Sequence, residues 1–153
     1  MGINIQLKIP PLLFGSLNYE REWTLMGNRY SAQHVSAFII YELQESSIVL
    51  NSTKIQQLLK IIDFKWRKVF GQCAFLESVH SNSSYYIKEV FETYDEQFGD
   101  GPIQEPAREW FLPYGQFTLQ YRPYGVPAYS PFEKIVMEKI ISDYIQVNCS
   151  KAS

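Results

Sequence analysis

Cys73 and His80 stand seven positions apart, and a thiol with an imidazole in reach is the smallest set that could perform nucleophilic catalysis. His34, the second of two histidines, could serve in its place. Such chemistry needs a thiolate in an accessible, electropositive setting. Cys73 instead opens Cys-Ala-Phe-Leu, an apolar run that reads as buried strand, where a free cysteine is a small core residue. His80 is flanked by Ser78, Ser81 and Asn82 and reads as an exposed turn residue, and His34 reads as structural. Glu77 and His80 have the i, i+3 spacing of carboxylate di-metal sites. Those sites need several such contributors, and this chain offers one and no Cys-x-x-Cys pair. DEQFGDG at 95–101 has the acids of a calcium loop but not its glycine at the sixth position or its ligand alternation. No glycine pattern would cradle a phosphate. The expectation is therefore no metal, no cofactor, no nominated catalytic residue, and a function more of binding than of catalysis.

Two other patterns point to binding. From Glu77 to Glu105 there are seven acids and one base, Lys88, whereas Lys54 to Lys68 holds five bases and one acid, Asp63. Segregated charge is commonly a solvated face, and it can also steer a partner of opposite sign. The second pattern is WFLPYGQFTLQYRPYGVPAYSPF, Trp110 to Phe132, in which eight of 23 residues are aromatic and Pro-Tyr-Gly occurs twice. Proline presets a turn and glycine supplies positive φ, so each triplet is read as a corner. Tyr114, Tyr124 and Tyr129 sit in those turns. They either fold back over a sheet edge or form a tyrosine-rich rim. Glu89, Glu92, Asp95 and Glu96 with Tyr114, Tyr124 and Tyr129 are the candidate partner-binding residues, and the expected partner is a basic protein. A formal charge of −2 provides no cationic footprint for nucleic acid.

The elements that must position these groups follow from periodicity. Ile3, Ile5, Leu7 and Ile9 alternate as a half-buried strand, and YEREWTLM at 19–26 reads as one arm of a hairpin. Its partner is a second strand from Arg29 to Leu43, with a helix capped by Ser31 as the competing reading. Ile48–Leu50 and CAFLESV read as further short strands. Ile55, Leu58, Leu59, Ile62, Trp66 and Val69 form one face of a helix over 53–70, capped by Asn51 or Ser52 and stopped by Gly71. Ser83 or Ser84 caps a second helix, whose face holds Ile87, Val90, Phe91, Tyr94 and Phe98, and Gly99 ends it. Pro106–Trp110 reads as a single helical turn. Gln116–Arg122 alternates strictly, which predicts a strand burying Phe117, Leu119 and Tyr121; on that reading Leu119→Asp unfolds the domain or lowers its melting point sharply. Ser130-Pro131-Phe132-Glu133 is a capping box that opens the last helix.

Together these predict one globular domain over 1–153 of the α+β class: an antiparallel or mixed sheet packed by two to three helices. Two cysteines are too few for a disulfide framework, and no apolar run approaches the ~20 residues that cross a bilayer. With no signal-peptide pattern at the start, a cytoplasmic location is the expectation, and the sequons at Asn51, Asn82 and Asn148 read as chance. The leading function is a non-enzymatic protein-binding domain, most concretely an immunity or antitoxin protein that neutralises a basic toxin. The alternatives are a small enzyme or ligand-binding domain with a Tyr/Trp-lined pocket, and a structural subunit of a larger assembly.

Overall fold

The computed structural model describes residues 27–79 and 85–152. In chain order they form α1 (Ala32–Leu43), α2 (Ser52–Phe70), α3 (Lys88–Phe98), β1 (Arg108–Phe111), β2 (Gln120–Pro123) and α4 (Pro131–Ala152). The class is α+β, but among the described residues the sheet is a two-stranded antiparallel ribbon and the helices number four. Helix on helix makes the core. Both α1 and α2 pack against each of the other three helices.

The long second strand expected over 29–43 is instead α1. Ser31 caps it, its hydroxyl accepting from Gln33 N at 3.2 Å. Glu77 reaches across to the same end, where its carboxylate accepts from Ser31 Oγ and Ala32 N, both at 2.7 Å. The amides that a helix start leaves open are thus satisfied by two side chains. The strand reading failed for a physical reason. Val35, Ser36, Ala37, Phe38, Ile39 and Ile40 are buried without a break, so this run carries no polar stripe to reveal a 3.6-residue period, and the helix meets solvent at Tyr41 and Glu42 near its end.

The amphipathic helices match expectation more closely. In α2 the face from Ile55 to Trp66 is buried, Asn51 caps by accepting from Lys54 N at 2.9 Å, and Gly71 stops the helix at φ 76°. Val69 is exposed and Phe70 takes its place in the core. Helix α3 has no side-chain cap. Buried Ile87 is instead held by Gln56, whose amide accepts from Ile87 N at 2.9 Å and donates to Ile87 O at 3.1 Å. Gly99 ends α3 at φ 62°. The capping box of α4 is formed: Ser130 N donates to Glu133 Oε1 at 2.9 Å and Glu133 N to Ser130 Oγ at 3.3 Å.

The strand expectations fare worse. Ile48–Leu50 contributes one isolated bridge, Leu50 to Ile103, and the Cys73 segment one more, Phe75 to Tyr30. Pro106–Trp110 is not a helical turn, since β1 begins at Arg108. Gln116–Arg122 is not one strand either. Only Gln120–Pro123 pairs, and Phe117, Leu119 and Tyr121 are 100%, 56% and 45% exposed. Their alternation finds no core, because no element among the described residues packs on that side of the ribbon. The first Pro-Tyr-Gly does make a turn, with Gln116 N donating to Pro113 O at 3.1 Å and Gly115 at φ 76°. The strands read over 3–9 and 19–26, the caps at Ser83 and Ser84, and His80 lie outside the described residues.

Candidate functional site

Helix α3 carries the ribbon. The phenol of Tyr94, itself 1% exposed, accepts from Ala107 N at 3.1 Å. One turn on, the Gln97 amide accepts from Arg108 N at 2.9 Å and donates to Arg108 O at 3.0 Å. A side-chain amide thereby takes the place of a neighbouring strand at that residue. The ribbon's other leg returns to α1, where His34 Nδ1 donates to Gly125 O at 2.6 Å and its ring meets that of Tyr124 edge-on at 5.7 Å.

Between these anchors lies an open cleft of about 810 Å³, with α3 on one side and the ribbon on the other. Glu96, Glu105 and Glu109 supply carboxylates, and Trp110, Tyr121 and Tyr124 supply rings. Trp110 and Tyr121 form a cross-strand pair with centroids 4.8 Å apart, and Trp110 is 66% exposed. The cation in the cleft, Arg108, is engaged. It donates from Nη1 to Tyr121 O at 3.0 Å and lies over the Tyr121 ring. Glu109 is 4.0 Å from Arg122, which stacks on Phe111. Glu96 and Glu105 make no ion pair among the described residues. Burial pushes the Tyr124 phenol up, and the charges of Glu109 and Glu77 push it further, so it remains a neutral donor.

Beyond the cleft the ribbon runs out into solvent. Leu112, Tyr114, Phe117 and Leu119 are exposed around its turn, with Tyr114 and Phe117 fully so.

The structure gathers only part of the expected set. Glu96 and Tyr124 share the cleft. Glu89, Glu92 and Asp95 are exposed elsewhere on α3, Glu92 lying 3.9 Å from Lys88. Tyr114 stands alone at the turn. Tyr129 goes inward: its ring packs on Tyr30 at 4.9 Å and Phe38 at 5.3 Å, and burial drives its phenol far up. Its position in a proline-rich turn gave no sign of this, because proximity to the core is a tertiary property. Trp110, Tyr121, Glu105 and Glu109 were not singled out. The period-two pattern of the segment assigned Tyr121 to a buried face.

The residues considered for catalysis are occupied otherwise. Cys73 is half-buried rather than enclosed in a strand, with Sγ 3.9 Å from Phe75 O. Nearby Asp63 accepts from Ala74 N at 2.9 Å and Tyr85 Oη at 3.3 Å, and Glu77 caps α1. Among the described residues no three His, Cys, Asp or Glu side chains cluster as metal ligands would, and no helix is long and apolar enough to cross a membrane. Comparison with family models, with curated proteins and with solved structures finds no match.

Proposed function

We propose that the protein is a non-enzymatic, cytoplasmic protein-binding domain whose contact surface is the β1–β2 ribbon flanked by the acidic face of α3. The observation that carries this is the exposure of Trp110, Leu112, Tyr114, Phe117, Leu119, Tyr121 and Val126 along a single segment. Proteins rarely leave so continuous an apolar surface in water unless something covers it. Its aromatic content is that of interface anchors. Exposed Glu89, Glu92, Asp95 and Glu96 would steer a basic partner toward it. The most concrete form of the reading is an immunity or antitoxin protein that covers a basic toxin. A rim of charge sets encounter and aromatic anchors set residence. The test is affinity capture from the native host, followed by binding kinetics with the purified partner. Glu92→Lys/Asp95→Lys should slow association, and Phe117→Ala/Tyr114→Ala should speed dissociation. Unchanged rates in both variants would exclude this surface.

A second reading, a small-ligand site, is favoured by the Trp110–Tyr121 ring pair beside three carboxylates in one cleft. A compound that saturates the cleft and quenches Trp110 without slowing partner association would support it.

A further inference from the structure

The free edge of the ribbon has a definite hydrogen-bonding phase. Tyr124 N donates to Ala107 O at 2.9 Å, so the carbonyl of residue 107 faces β2, while its N–H turns to Tyr94. With Glu109 opposite Arg122 and Phe111 opposite Gln120, residues 109 and 111 face β2 as well. Arg108 and Trp110 therefore point their N–H and C=O groups away from β2. Gln97 occupies the pair at Arg108. At Trp110 no described residue does. On the opposite edge the Tyr121 carbonyl is taken by Arg108 Nη1. On β1 one outward rung thus stands open among the described residues, at Trp110, and it opens along the cleft that holds Glu96 and Glu105.

We propose that this edge receives an extended, arginine- or lysine-bearing segment of the partner, which adds as a third strand beside β1 at Trp110. This rests on the protein-binding reading and names the ligand chemistry. Strand addition draws affinity from main-chain hydrogen bonds and specificity from the side chains that alternate along the added strand. The added strand continues the rung that Gln97 has begun. Its basic side chains meet Glu96 and Glu105, the two cleft carboxylates with no described counter-ion, and lie over the exposed ring of Trp110, which attracts cations face-on.

The probe is an acetylated seven-residue peptide that alternates arginine and valine, titrated into the full chain. Two comparison peptides carry glutamate for arginine, or N-methyl groups on alternate backbone nitrogens. Saturable binding is expected, with slowed hydrogen exchange at the Trp110 amide. The Glu96→Gln/Glu105→Gln variant should bind at least tenfold more weakly, as should the N-methylated peptide. Equal binding by the N-methylated peptide would overturn strand addition, leaving charge attraction alone. Equal binding by the glutamate peptide would overturn the basic specificity. No binding by any peptide would overturn the proposal, as would self-association of the chain that protects the Trp110 amide without peptide. In each case slower dissociation of the native partner from wild type than from Phe117→Ala/Tyr114→Ala would leave the protein-binding function standing.

Discussion

Glu133 is the most connected carboxylate among the described residues and is 2% exposed. It accepts from Asn28 N at 2.7 Å, Tyr30 Oη at 2.6 Å and Ser130 N at 2.9 Å, and so ties residues 28–30 to the start of α4. Burial acts to raise its pKa, but the hydrogen bonds from Tyr30, Ser130 and Asn28 outweigh it and hold the carboxyl below its usual 4.5. A depressed carboxyl contributes stability that is full above the unfolded value and is lost as pH falls through the folded one. Glu133→Gln should cost about 2 kcal/mol at neutral pH, in keeping with charge-assisted bonds. Urea midpoints should begin to converge with wild type below pH 4.5 and meet only once the pH has fallen through the lowered native value. A constant gap down to strongly acid pH would show that the charge is not what matters. Gly27 makes a steric demand instead. A Cβ there would meet Phe70 Cγ and Trp66 Cζ2 at 2.8 Å. Gly27→Ala should therefore destabilise by about 1–3 kcal/mol, as overpacking does, with a lowered melting temperature as the check.

At the scale of elements, the ribbon inverts the usual relation between apolar sequence and core. Its apolar residues alternate as a half-buried strand would, yet they face water. Leu119→Asp should change stability by no more than about 0.5 kcal/mol, as at other surface positions. Leu58→Asp, on the buried face of α2, should abolish folding, because an unpaired buried charge is far costlier. Chemical denaturation of the two variants side by side decides the point, and a large loss at Leu119 would mean that the ribbon is packed in solution. The contrast also separates roles within the ribbon. Tyr94, Gln97 and His34 hold its base, whereas Leu112 to Leu119 contribute surface.

Over the whole molecule, charge is arranged for the outside more than for cohesion. The bases of α2 and the acids of α3 do not pair with one another. Among the described residues the ion pairs are Arg67–Asp63, Lys88–Glu92 and Lys139–Asp143, each within one helix, and Arg122–Glu109 within the ribbon. Apart from Asp63 and Glu109, these groups are largely exposed, and exposed pairs contribute roughly 0–1 kcal/mol each. Raising salt should thus shift unfolding free energy by less than about 1 kcal/mol. Association with a basic partner should slow markedly over the same range. A strong salt dependence of stability would instead place unscreened pairing inside the fold.

The sequence alone determined the α+β class, α2 with its Gly71 stop and a cap at Asn51 or Ser52, the Gly99 end of α3 and the capping box at Ser130–Glu133. Each of these is a local matter, since a cap, a stop or an apolar stripe is written within one turn or one helix face. Tertiary structure decided what depended on surroundings. It made 32–43 a helix, because the unbroken buried run at 35–40 carries no period to read. It turned Tyr129 inward and left Phe117 and Leu119 outside, because alternation says that a segment has two faces and not which of them meets a core. It also brought Glu96 and Glu105 to the edge of a strand at Trp110, because Tyr94 and Gln97 reach from α3 to backbone amides more than ten residues away.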